Sequence, residues 1–129
     1  MTRRALIIAL IALAACHRGP TDPDPANRPH GRLSGLVTIG PICPAQDCPT
    51  PPSEYSRRKI LVFDPARTRQ LFTVDIDSRG AYLIDLAPAD YQIDFRGVGM
   101  DTSTDLPKEI TIRANLVTRV DVHIDTGIR

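Results

Sequence analysis

Residues 73–95 read TVDIDSRGAYLIDLAPADYQIDF, and their apolar side chains return at every second position. Val74 and Ile76, then Tyr82, Ile84 and Leu86, then Tyr91, Ile93 and Phe95 keep this period, which suits strands with one buried face and does not suit a helix. Three strands are expected. Between the first two, Asp77-Ser78-Arg79-Gly80 offers side-chain acceptors early and a glycine late, as a type I turn closing through positive φ requires. Between the second and third, Pro88 fixes φ and gives the ladder no donor, so pairing should break there. The segment reads as a meander whose apolar face other strands must cover.

Those other strands are visible on either side. Leu33, Gly35, Val37 and Ile39 alternate with Arg32, Ser34, Leu36 and Thr38, a first strand whose glycine marks a bulge or a close neighbour. Residues 59–63, KILVF, suit a central strand; Asp64-Pro65 ends it, and residues 69–76 return as its hairpin partner. Residues 97–106 lack alternation and read as a flexible crossing loop. Ile110 and Ile112 mark another strand, Asn115 suits the left-handed position of a tight turn, and Leu116, Thr118, Val120, Val122 and Ile124 form a last inward face. Seven short strands with turn signals between them and no helix indicate an all-β fold, a seven-stranded antiparallel-type β-sandwich. With three tyrosines, three phenylalanines and no tryptophan, its core must be mostly Ile, Val and Leu. Tyr82, Leu86, Tyr91 and Phe95 should face inward, and Asp85 and Asp94 outward.

The amino terminus follows a different logic. Arg3 and Arg4 precede an unbroken apolar run over residues 5–13, followed by Leu13-Ala14-Ala15-Cys16. This resembles a bacterial lipoprotein signal ending in its lipobox. The resemblance implies cleavage before Cys16, a diacylglyceryl group on its sulfur, and acylation of the new amino terminus. An ordinary secretory signal is the plainer alternative. A membrane span is a poorer one, because the run falls short of the roughly 20 apolar residues a bilayer core demands. His17, rather than aspartate, after the lipid cysteine favours the outer membrane in a two-membrane host.

Loss of residues 1–15 removes Arg3 and Arg4 from a total of 16 basic and 15 acidic residues, so the slight excess of base disappears. No concentrated basic face remains to suggest a nucleic-acid partner. About 110 residues are left, enough for one domain with a modest core. Residues 16–30 carry the lipid cysteine and then HRGPTDPDPANRPH, with four prolines and one small aliphatic side chain, Ala26. Such a segment buries too little to offset ordering and reads as an extended tether, reaching up to roughly 45 Å at about 3.1 Å per residue. A proline-rich ligand for a partner's aromatic groove is the poorer alternative, since no PxxP motif with a flanking basic anchor stands out. The folded domain spans residues 31–129.

Within it, residues 40–58 read GPICPAQDCPTPPSEYSRR, a long loop that must be fastened or functional. Cys43 and Cys48 are the natural fastening: the chain is exported, and Cys16 is committed to lipid, so a disulfide is the economical assignment. For so small a ring the chain-entropy model gives roughly 2 kcal/mol, shaping the loop more than holding the domain. A metal site is disfavoured, because only His17, His30 and His123 could supply imidazoles and no second CxxC is present.

Several of these stretches carry a second resemblance. GLVTIGPICP at 35–44, DSRGAY at 77–82, LAPADY at 86–91 and the ending DTGIR at 125–129 are similar to the carboxypeptidase regulatory-like domains. The resemblance covers about residues 31–129 and implies a prealbumin-like (transthyretin-like) sandwich. Its motifs are structural signatures, and it implies no catalytic residues; members serve as accessory, cell-surface or periplasmic modules. The chain departs from it at Ala89, where the family carries glycine after proline.

There is no GxSxG, no HExxH and no glycine-rich phosphate loop, and no cofactor is implied. Asp85, Asp94, Asp121 and Asp125 fall on outward strand positions, as does His123, and a solvated sheet face accounts for them. Residues 75–80 begin like a calcium loop, but Arg79 and Leu86 stand where oxygen ligands are required. The expectation is a lipid-anchored structural or protein-interaction module of the cell envelope, without catalytic activity. A carbohydrate-binding module is the alternative; Tyr55 alone of the aromatics stands outside a core-facing pattern. An accessory lipoprotein of a secretion-system envelope complex, such as the type VI apparatus, is a specialised form of the first. The loop is the surface left without a structural duty, with Pro41, Pro44, Asp47, Pro49 and Tyr55 as its candidate partner contacts.

Overall fold

The computed structural model describes residues 24–45 and 47–129. The signal-like stretch, Cys16 and the first half of the tether lie outside the described residues. What is described of the tether is exposed, and it contains one 3-10 turn at Pro25–Asn27 in place of a fully extended chain. The turn forms because proline suits its first position and the Asp24 carboxylate accepts the Ala26 amide at 3.1 Å.

From Gly31 the chain forms eight strands: β1 (Gly31–Gly40), β2 (Lys59–Phe63), β3 (Gln70–Asp75), β4 (Ala81–Leu86), β5 (Ala89–Arg96), β6 (Lys108–Ile112), β7 (Val117–Arg119) and β8 (Val122–Asp125). They make two four-stranded sheets. One places β1 between β4 and the pair β7 and β8; the other runs β3-β2-β5-β6. The alternating side chains meet between them: Leu33, Val37 and Ile39 face Ile60, Val62, Ile93 and Ile112 in a core closed by Tyr82, Leu86, Tyr91 and Ile124. The all-β sandwich expected from the periodicity is what the chain forms. KILVF is central, between β3 and β5, and β3 is its hairpin partner.

The meander is not formed. β3 pairs with β2 in one sheet, β4 with β1 in the other, and β5 returns to the first. Alternation says which face of a strand is buried and is silent on which neighbour it pairs with. Both connections are instead crossings between sheets. At the first, Asp77 Oδ1 accepts the Arg79 and Ala81 amides at 2.8 and 2.9 Å, and Gly80 closes the turn at φ +86°. At the second, Tyr91 on β5 donates its hydroxyl to the Ala87 carbonyl at 2.7 Å and clamps the corner around Pro88. Ala89 is not among the residues at positive φ, so the corner accepts alanine there without strain.

The last inward face is also broken, which makes eight strands of the expected seven. β7 and β8 each pair with β1 in parallel, where an antiparallel ladder was expected, and Val120 and Asp121 stand between them. At this break the Val120 carbonyl accepts the Tyr82 hydroxyl at 2.6 Å, and Asp121 Oδ1 takes the Leu36 amide at 2.9 Å in place of a backbone partner. Burial pushes the Tyr82 phenol well above its ordinary pKa, so it stays a donor. Gly35 is the close neighbour anticipated on β1: a Cβ there would collide with the Val120 carbonyl and press on the Tyr82 ring. Leu116, expected inward, is 55% exposed, because Asn115 at φ +62° turns the chain before β7 begins.

Candidate functional site

β1 spans the sandwich from end to end, about 33 Å at roughly 3.3 Å per residue. Its first residue follows the tether, and its last leads into the cysteine loop. The loop and the tether therefore leave the domain at opposite ends. With the loop lie the start of β2, the 97–102 segment joined to β8 by a Thr102–Asp125 bridge, and residues 126–129.

The loop is fastened as expected. Cys43 and Cys48 are disulfide-bonded, with their Cα atoms 6.2 Å apart. The loop is tied further to its neighbours: Thr126 donates its amide to the Gly40 carbonyl and its hydroxyl to the Pro41 carbonyl, and the Thr50 hydroxyl bonds the Ile39 carbonyl at 3.3 Å. A hollow of about 500 Å³ lies against the ring, lined by Pro41, Pro44, Asp47, Ile128 and Arg129 among others. Pro41, Pro44, Asp47 and Pro49 are all exposed there.

Tyr55 does not share that face. It lies in a five-residue helix, α1 (Pro52–Ser56), within a stretch where no helix was expected. Proline at its first turn and Glu54 near its positive end favour a helix too short to leave a periodicity in the sequence. The helix turns Tyr55 half-buried onto the core, with its ring against Gly80. Phe72, on edge strand β3, is instead the exposed aromatic among the described residues, 44% accessible. A bulge in the β2–β3 ladder lets Leu71 pack on the core beside it.

Behind the loop is a buried ionic cluster with no signature in the sequence pattern. Arg58, 3% exposed, donates Nε and one guanidinium nitrogen to Asp101 at 2.6 and 3.0 Å, while its other nitrogen reaches the Glu54 carboxylate at 2.7 Å and carbonyl at 2.9 Å. Asp101 also accepts the Val98 amide at 2.7 Å. Burial pushes the Asp101 carboxyl up, but the bonds from Arg58 and Val98 outweigh it and hold the group below its ordinary pKa. Residues 97–101, expected to be a flexible crossing, are thus pinned to α1 and β2. The partners are 43 positions apart, beyond the reach of any local pattern.

Most of the other described carboxylates have structural partners. Asp85 pairs with Arg32 at 2.8 Å, Asp94 with Arg67, and Asp125 with Arg129 at 3.2 Å. Asp75, once a candidate calcium ligand, pairs with Lys59 at 2.7 Å. His123 shares a 2.9 Å hydrogen bond with Thr38 on the outer face. Asp64 is shifted downward first by the Thr68 hydroxyl and then by backbone amides, and Glu54, Asp77, Asp85, Asp101, Asp121 and Asp125 are shifted downward by cations or backbone amides, opposite to what a general acid needs. Among the described residues, no three His, Cys, Asp or Glu side chains are grouped to hold a metal ion.

No known family model matches the sequence, and no curated protein sequence resembles it. Similar solved structures were found, one of them above a TM-score of 0.5. A minor pilin of Streptococcus agalactiae superposes with a TM-score of 0.54 at 13% identity, over 76% of this chain and 45% of the pilin. A DUF3823 family protein of Parabacteroides merdae gives 0.46 at 16% identity, over 76% of this chain and 47% of that one. This chain spans less than half the length of either. At such identity the pilin likeness establishes a shared β-sandwich architecture.

Proposed function

We propose that this chain is a lipid-anchored module of the bacterial cell envelope that presents a disulfide-stiffened loop to a partner protein and carries out no catalysis. The observation that carries this reading is the placement of tether and loop at opposite ends of β1. A domain held through Cys16 carries residues 41–49 at the end farther from its point of attachment. The bond at Cys43 and Cys48 and the prolines around it would lower the entropy lost on capture, a route to affinity that needs no added contacts. The carboxypeptidase regulatory-like resemblance and the shared architecture with a minor pilin both fit a non-catalytic envelope module. The outer membrane is its proposed location, with the lipid on Cys16.

Two variants test it. Cys16→Ser should abolish acyl labelling and release the domain from membranes; persistent labelling would refute the anchor. Replacing Cys43 and Cys48 together by serine should weaken crosslinked capture of an envelope protein several-fold while the sandwich stays folded. Unchanged capture would remove the loop. A reproducible glycan-array signal with no protein partner would favour a carbohydrate module instead.

A further inference from the structure

The end of the sandwich beside the tether carries its own exposed apolar feature. Leu116 and Val117 are adjacent, 55% and 65% exposed, where the turn after β6 runs into β7, Leu116 ending the turn and Val117 opening the strand beside Arg32. Two backbone bonds join this turn to the incoming chain: Asn115 N donates to the His30 carbonyl at 2.8 Å, and Arg32 N to the Leu116 carbonyl at 2.9 Å. Tether and turn are therefore one piece of structure. Arg28 and Arg113 are exposed beside it and make no ion pair among the described residues, whereas the nearby Asp85 is already engaged by Arg32.

We propose that this end is a membrane-facing surface, with Leu116 and Val117 inserting into the headgroup region of the bilayer that holds Cys16 and with Arg28 and Arg113 meeting lipid phosphates. The inference rests on acylation of Cys16. Only residues 17–23 separate that cysteine from Asp24, a reach of roughly 28 Å when fully extended. The turn is thus confined near the surface at high effective concentration, so a contact too weak to recruit a free protein suffices to orient a tethered one. Two neighbouring aliphatic side chains with cationic flanks match the chemistry of an interface with anionic lipid. The consequence is directional. A domain seated on this end holds the disulfide loop outward, where a loosely tethered one would tumble.

The chain contains no tryptophan, so single-tryptophan variants report position without background. The full acylated chain carrying Val117→Trp would be placed in phosphatidylethanolamine–phosphatidylglycerol vesicles with and without brominated acyl chains. Met100→Trp, 73% exposed at the opposite end, and Leu83→Trp, 54% exposed on a sheet face, serve as comparisons. Bromolipid should lower the Val117→Trp emission about twofold or more and leave the other two nearly unchanged, and Leu116→Ser should reduce that quenching. Equal quenching at all three positions, or none at Val117→Trp, would overturn the proposal. Intact mass separates the two ideas: an acylated chain without selective quenching refutes the orientation alone, whereas a chain without acyl groups refutes anchor and orientation together.

Discussion

Replacing Asp101 by alanine removes the group that pins residues 97–101, and its cost can be worked from the contacts. Arg58 and Asp101 are nearly fully buried, with side chains 3% and 2% exposed, and share two bonds; Val98 supplies a third to the carboxylate. Breaking a buried pair from one side costs about 3–5 kcal/mol, because the other charge is left without its partner. Here Glu54 keeps one guanidinium nitrogen of Arg58 occupied, which argues for the lower end of that range. About 3 kcal/mol corresponds to a melting temperature lower by about 12 to 20 °C for a domain of this size. Thermal unfolding followed by far-UV circular dichroism measures the shift, and hydrogen exchange at the Val98 amide should accelerate. The pH dependence has a defined sign. The carboxyl is held below its ordinary value, so its contribution is complete above the free aspartate pKa, about 3.9, and disappears as pH falls through the lowered one. The gap between the parent and Asp101→Asn should be constant above about pH 5 and should close under stronger acid. Replacing both partners, Arg58→Met with Asp101→Leu, should recover most of the loss. A drop of less than about 4 °C for Asp101→Ala would show that the cluster does not hold this end of the sandwich together.

Three further substitutions probe the scaffold. Gly35→Ala should destabilise by about 1–3 kcal/mol in denaturant titration, because its Cβ meets the Val120 carbonyl and the Tyr82 ring; a neutral result would refute that approach. Tyr82→Phe should cost about 1–3 kcal/mol by leaving the buried Val120 carbonyl without its donor, and Tyr82→Ala about 3–5, whereas Asp85→Ala should leave the melting temperature nearly unchanged. Equal losses for Tyr82→Ala and Asp85→Ala would mean the strand faces are misassigned. The double serine replacement of Cys43 and Cys48 should cost about 2 kcal/mol, a melting temperature lower by about 8 to 13 °C, since the ring closes only six residues; global unfolding at room temperature would contradict a bond that mainly shapes the loop.

Much of this protein was determined by its sequence alone, because the interactions concerned are local. Period-two alternation marks the buried face of most strands, so Val37, Tyr82, Leu86, Tyr91 and Ile93 lie in the core without reference to any neighbour. The 77–80 turn needs only an aspartate within reach of its own amides and a glycine free to adopt positive φ. The disulfide joins cysteines five positions apart. Tertiary structure decided what depends on residues far apart in the chain. It sent β3, β4 and β5 into alternate sheets, and it split the last strand where Val120 meets Gly35 and Tyr82. It also turned Tyr55 onto Gly80 and left Phe72 at an edge. The Arg58–Asp101 pair shows why: one arginine among many becomes an anchor only because the fold removes water from around it and brings a single carboxylate within 2.6 Å. The candidate site divides in the same way, its cysteines and prolines legible residue by residue, its position opposite the tether a property of β1 crossing the whole sandwich.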